Sequence, residues 1–266
     1  IIDGNNEITT GIVQVTVEDV NDQGDPPLHI IIGDGDAVVR TGAGNDTIVA
    51  GGAAGDNVID GSTGSDHVIY ASSTQDLTVD LRPMDRSTTM VSDGLTVGDL
   101  LINAGYEATL PVGLALGDDI GFDVLIDIEN VTTGSGNDVI TGGDGGHVID
   151  AGEGQNLITT GSGDDVITAG DGGNVIDAGD GEDSIITGAG DDIIILSEGD
   201  HRDDPHRDNV DAGAGNNVID AGGGVLREVS ATTVDLRPLD RSETPVPSGG
   251  TVGDLLINAG YDPNTT

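Results

Sequence analysis

A chain of 266 residues with 49 acidic and 8 basic side chains carries a formal charge of -41, which leaves no cationic surface for phosphates and excludes nucleic acid or an anionic bilayer as partner. Three Tyr, one Phe and no Trp remove the rings that fill a conventional core, and the absence of Cys removes disulfides and thiolate metal sites. No apolar run reaches the length of a membrane span, so cations are the expected partners and order has to come from something besides a thick core.

Residues 1–27 read as the end of a preceding β domain and its linker, in a chain taken to be a piece of something longer. Ile12 to Glu18 alternates as a strand, and the run from Asp19 through Asp22 to two prolines closes it with oxygen ligands. Asp19 and Asp22 are candidate cation ligands. Residues 28–70 form a first block of nine-residue units: TGAGNDTIV (41–49), GAAGDNVID (52–60) and GSTGSDHVI (61–69). Residues 71–132 interrupt them as an insert module.

The second block, 133–222, carries the strongest signal. Residues 133–195 divide without remainder into seven nonapeptides: TGSGNDVIT, GGDGGHVID, AGEGQNLIT, TGSGDDVIT, AGDGGNVID, AGDGEDSII and TGAGDDIII, with Gly in the second and fourth places and Ile in the eighth of every one. AGAGNNVID (212–220) returns in phase after a polar loop at 200–208, His201 to Asp208. Two His five apart in a Pro-containing loop have no fixed face, so the loop is read as polar rather than as a transition-metal site. From 223 to the end the insert begins a second time, because residues 78–106 recur at 233–261 with six differences. The segment from Thr251 to Asn258 fits a short helix or a strand equally well.

Each nonapeptide joins a glycine turn to a short β-branched run. A strand of three or four residues cannot hold a face alone, so successive strands must stack in parallel and bury the eighth-place Ile together, which makes an all-β solenoid with a thin aliphatic core. The turns then stack too, and their Asp side chains and carbonyls crowd one edge, where like charges call for a hard cation.

The pattern G-G-x-G-x-D-x-U-x resembles the calcium-binding nonapeptide repeat of the RTX (repeats-in-toxin) proteins. The resemblance implies a right-handed parallel β-roll with two nonapeptides per coil, several Ca2+ in the stacked turns, and secretion by a type I route with folding on external calcium. Residues 66–81 and 124–138 resemble the non-repeat inserts of such arrays, and the tail of 1–27 resembles the end of a cadherin-like or Ig-like repeat. Carried onto this chain, the sixth-place ligands are Asp46, Asp66, Asp138, Asp165, Asp183 and Asp192. Asn156 and Asn174 stand in the same place with an amide, and His147 with an imidazole. The third-place acids Asp144, Glu153, Asp171 and Asp180 are solvated charge beside a carbonyl ligand.

The bland alternative, a sixth-place Asp that caps its own turn, would accept Asn as readily and would not accumulate so much charge. Two coils are open. A two-sided coil of 18 residues, the expectation, stacks Asp138 on Asn156 and sets Ile140 beside Ile158; a three-sided coil of 27 stacks Asp138 on Asp165 and sets Ile140 beside Ile167.

No G-K-[ST] follows any Gly-x-Gly, and no G-x-S-x-G elbow or thiol nucleophile exists, so no enzyme is read here. The expectation is a non-enzymatic, calcium-binding structural solenoid of a secreted or cell-surface protein: an adhesin, surface-layer or filament component. The alternative is the secretion and folding region of an RTX toxin or enzyme whose active domain lies elsewhere. Self-association into an array or fibre would use the apolar seventh-place residues Val139, Val148, Leu157, Val166, Val175 and Ile193.

Overall fold

The computed structural model describes residues 27–51, 54–91, 94–196 and 208–220, together with the backbone of a few short strands outside them. The segment before the first block supplies β1 (Val13–Thr16), which pairs in parallel with β3 as the outermost strand of the same sheet rather than closing a separate domain, and the first block supplies β2 (His29–Ile31), β3 (Ala37–Arg40), β4 (Thr47–Val49), β5 (Val58–Asp60) and β6 (His67–Ile69). The insert supplies β7 (Thr78–Asp85), α1 (Val97–Asn103), β8 (Pro111–Gly117) and β9 (Gly121–Ile126). The second block runs through β10 (Asn130–Thr132), β11 (Val139–Thr141), β12 (Val148–Asp150), β13 (Leu157–Thr159), β14 (Val166–Thr168) and β15 (Val175–Gly179). It continues through β16 (Ser184–Ile186), β17 (Ile193–Leu196), β18 (Asn209–Gly213) and β19 (Asn217–Asp220), followed by β20 (Glu228–Ala231) and β21 (Val234–Asp235).

Within the repeat blocks the strands alternate between two sheets, of twelve and nine strands among those described, and pairing there is parallel throughout. Ile140 pairs with Ile158, and Ile149 with Ile167. The coil therefore has two sides and 18 residues, and the three-sided alternative, which needs Ile140 beside Ile167, is wrong. Two nonapeptides close a coil because each glycine turn hands the chain to the opposite sheet. The fourth-place Gly172 sits at φ +133°, and a Cβ there would lie 2.0 Å from the carbonyl oxygen of Gly154 one coil earlier. Only glycine allows turns to stack that closely.

Alternate residues of each short strand point inward. Ile140, Ile158, Ile176, Ile194 and Ile219 line one sheet, Ile149, Ile167, Ile185 and Val210 the other, and all are buried. At about 1.5–3 kcal/mol for each fully buried aliphatic side chain, this double column is the main apolar contribution of the repeats. First-place Ala151, Ala169, Ala178 and Ala212 fill the ends of the column. The seventh-place residues divide: Val139, Val148 and Val166 are exposed on the outer faces, but Val175 and Ile193 are buried in a small separate cluster with Ile195. The outward stripe expected from the sequence is thus interrupted.

The insert enters on one side only. The twelve-stranded sheet runs β5-β9-β8-β7-β11, with β8 antiparallel to both neighbours, while across the core β6 pairs directly with β10. Larger side chains, Tyr70, Leu77, Ile120 and Leu125, collect in the core at this level. On the outer face, Val97, Leu100, Leu101 and Ala104 of α1 and the turn after it cover Val38, Val58, Val112 and Val124. Thr96 and Asp99 form a reciprocal capping box at the start of α1, so the first copy of the segment left open between helix and strand is a helix. Arg40 pins it, donating to the Ala104 carbonyl (2.8 Å) and to the Tyr106 hydroxyl (2.5 Å), whose own O–H reaches Asp60.

The D-L-R-P-x-D-R run is a clasp. Asp80 accepts from Nε and Nη2 of Arg82 (2.9 Å each) and from Nη2 of Arg86 (2.5 Å), and Arg86 also donates to the Val112 carbonyl at 3.1 Å. Burial pushes the Asp80 carboxyl up, but these hydrogen bonds outweigh it and hold it below the usual carboxylate range.

Candidate metal centre: the stacked turns

The sixth-place side chains form two ladders, one along each edge of the roll. On the edge leading into the nine-stranded sheet, Oδ1 of Asp46 accepts the Leu28 N–H (2.7 Å) and Oδ1 of Asp66 that of Asp46 (2.8 Å). In the second block Oδ1 of Asp165 accepts from His147 (2.8 Å), Asp183 from Asp165 (2.9 Å) and Asp208 from Asp183 (3.0 Å). On the other edge Leu77, Asp138, Asn156, Asn174 and Asp192 donate in turn to Asp138, Asn156, Asn174, Asp192 and Asn217 at 2.8–3.1 Å. The sixth-place side chain thus caps the coil before its own, not its own turn. Neither the metal reading nor the turn-cap reading of the sequence contained this ladder.

One oxygen of each carboxylate is spent on the ladder, and the fate of the other sets the chemistry. Oδ2 of Asp46, Asp66, Asp138 and Asp165 is buried with no hydrogen-bond partner, while Oδ2 of Asp192 accepts from the Thr187 hydroxyl at 2.7 Å. A buried carboxylate oxygen without a donor is costly in its charged form. Burial pushes Asp138, Asp165 and Asp192 up, outweighing the ladder N–H groups and the nearby Thr133, Thr160 and Thr187 hydroxyls, which pull the other way. Burial together with nearby Asp46, Glu129 and Asp127 brings Asp66 to about 7, and burial with Asp165, Asp208 and Asp164 brings Asp183 to about 8.

These groups fit a hard cation. The orphaned oxygens lie in Gly-rich turns, and calcium is bound by mixtures of carboxylate and backbone carbonyl oxygen. Among the described residues no three His, Cys, Asp or Glu side chains converge into a metal cluster, so backbone oxygens would have to complete any ion's shell. Asn156 and Asn174 keep the ladder but aim an amide inward: Nδ2 of Asn156 donates to the Ala151 carbonyl, and that of Asn174 to the carbonyls of Gly170 and Gly172, at 3.2 Å each.

His147 is explained by its neighbour. The coil before it is the insert's Asp127 to Asn130, which offers the Glu129 carbonyl, 2.7 Å from Nδ1. A carbonyl needs a donor there, and an imidazole N–H supplies one where a carboxylate would repel. Glu129 itself takes the sixth-place role, its Oε2 accepting the Asp66 N–H at 2.8 Å.

Sequence reasoning missed several members. Asp208, assigned to the polar loop, is a rung; its 25-residue spacing from Asp183 is one coil plus seven residues of interruption. Asn57 and Asp123 cap Ala37 and Asn57 in the first block, with Asp123 supplied by the insert, hydrogen-bonded to the Tyr70 hydroxyl (2.8 Å) and pushed by burial to about 7. A second, outer ladder runs in the reverse direction through fifth-place residues, where Asn137, Asp164 and Asp191 accept the N–H of Gln155, Glu182 and Asn216 one coil later. Third-place Glu153 and Asp171 do the same for Asp171 and Ala189. The recurring Asn and Asp of the fifth place were the available signal. Asp19, Asp22 and His201 to Arg207 lie outside the described residues.

No curated protein matches the chain. The family model of the RTX calcium-binding nonapeptide repeat matches residues 31–68, 127–158, 143–176, 168–200 and 204–225, just over half of the chain and the same segments whose turns stack. The chain belongs to the family of RTX calcium-binding nonapeptide repeat proteins, and these blocks are a calcium-binding repeat region.

Proposed function

We propose that the chain is a non-enzymatic architectural solenoid of a secreted or cell-surface protein, ordered by extracellular calcium. Calcium would be held by Asp46, Asp66, Asp138, Asp165, Asp183 and Asp192 with neighbouring turn carbonyls, and its contribution is charge neutralisation and coordination within the turns. The observation that carries this reading is the set of buried, partnerless Oδ2 atoms in Asp46, Asp66, Asp138 and Asp165. Without a cation, those carboxylates and a formal charge of -41 oppose compaction, which suits a chain exported unfolded where calcium is scarce.

An architectural role in an adhesin, surface layer or filament, rather than the export region of a toxin or enzyme, is supported by the recurrence of the 78–106 segment at 233–261. That segment builds a structural clasp and a covering helix in its first copy. The exposed Val139, Val148 and Val166 are the surface for self-association. No described helix is long and apolar enough to cross a membrane. Circular dichroism in calcium and in EDTA tests the reading: the β signal is expected to fall on chelation and return with calcium, and a signal indifferent to EDTA overturns it.

A further inference from the structure

The two edges of the roll differ at the atom that faces the turn. Along the nine-stranded edge the sixth-place residues are Asp46, Asp66, Asp165, Asp183 and Asp208, with Glu129 and His147 at the insert and no Asn among those described. Along the twelve-stranded edge four of the sixth-place residues are Asn57, Asn156, Asn174 and Asn217. All four spend Oδ1 on the ladder as an Asp does, which leaves Nδ2 where an Asp has its second oxygen.

Every one of those amides donates to turn carbonyls: Asn57 to Gly55 (3.4 Å), Asn156 to Ala151 (3.2 Å), Asn174 to Gly170 and Gly172 (3.2 Å), and Asn217 to Ala212 (2.6 Å). Two of them also donate to the neighbouring carboxylates, Asn57 to Asp123 at 2.6 Å and Asn174 to Asp192 at 3.1 Å. The remaining oxygens of Asp123 and Asp192 receive the Tyr70 and Thr187 hydroxyls. Asp138 alone of the described sixth-place carboxylates on this edge keeps a partnerless Oδ2, against Asp46, Asp66 and Asp165 on the other.

We infer that the twelve-stranded edge is sealed by its own asparagines, whose NH2 groups take the place of the cation, and that calcium loads chiefly along the nine-stranded edge. An amide N–H directed at carbonyl oxygens satisfies them and excludes a cation from the same space; a carboxylate oxygen in that position repels them until a cation enters. One edge is a permanent seam and the other a seam that calcium closes. This rests on the calcium reading above and adds which rungs need the ion.

The test uses the full chain with calcium alone as ligand, counting bound ions by equilibrium dialysis and following the β signal by circular dichroism. The pair Asp165→Asn and Asp183→Asn is expected to lose about one ion per substituted rung and to retain more β signal in EDTA than the parent. The pair Asn156→Asp and Asn174→Asp is expected to gain about one ion per rung, to lose β signal in EDTA and to recover it fully at saturating calcium. An unchanged count in either pair, or failure of the second pair to refold at saturating calcium, overturns the inference. A parent chain that binds no calcium instead overturns the underlying reading, so the two failures are distinguishable.

Discussion

Ile167 and Val166 are adjacent in β14, yet the roll assigns them opposite environments: Ile167 is fully buried between Ile149 and Ile185, and Val166 is 46 % exposed on the outer face. Replacing Ile167 by Ala removes three carbons at about 0.8 kcal/mol each from the core and leaves a cavity that the stacked coils above and below resist closing. The total is about 3–4 kcal/mol, within the range of buried Ile to Ala changes. Val166→Ala loses two half-solvated methyls and costs at most about 1 kcal/mol. Urea titrations in saturating calcium, followed by far-ultraviolet circular dichroism, separate the two by about 1 M in midpoint at a slope of 2–3 kcal/mol/M. Equal midpoints, or a larger loss for Val166→Ala, would refute the inward phase of the eighth place and with it the two-sided coil.

Gly172→Ala places a Cβ at φ +133° and 2.0 Å from the Gly154 carbonyl; it is expected to abolish order in the coils around it, read as lost amide protection at 154 and 172, and wild-type protection would contradict the turn stacking. In EDTA, Asp66 and Asp183 carry folded-state values of about 7 and about 8 against an ordinary value of 3.8, so the folded form holds their protons more tightly. Their contribution to stability is full below the ordinary value and drains away as pH rises through 7 to 8, making the calcium-free roll more resistant to urea at pH 5 than at pH 8. A greater resistance at pH 8 would count against buried, unneutralised carboxylates. Tyr70→Phe strips the hydroxyl from the fully buried Asp123, and is expected to cost about 1–3 kcal/mol in the same urea assay; a neutral result would mean that Asp123 finds another donor. Tyr106→Phe leaves Arg40 and Asp60 without the hydroxyl they share, and faster proteolysis around α1 is the expected outcome, unchanged digestion the adverse one.

Much of the repeat blocks was legible residue by residue. Ile in every eighth place could only be a core column, and glycine in the second and fourth places followed by β-branched residues could only be turn then strand, because a nine-residue unit has no other way to bury one side chain per repeat. The Asp of the sixth place marked the edge where charge collects. The size of the coil was not legible: similarity recurring every 27 residues competes with an 18-residue closure, and the choice depends on how far each glycine turn rotates the chain, which pairing of Ile140 with Ile158 answers.

The insert was equally silent about its place. Nothing local to β8 announces that it runs antiparallel between β9 and β7, since that arrangement is fixed by Arg40, Arg86 and Tyr106 meeting residues tens of positions away. By itself, then, the sequence determined the repeat, its core and its charged edges, for these follow from side-chain period and backbone freedom within nine residues. Only the tertiary structure decided which sixth-place groups stack on which, and whether their second atom meets a donor, a carbonyl or nothing, because that atom's environment is made by the neighbouring coils.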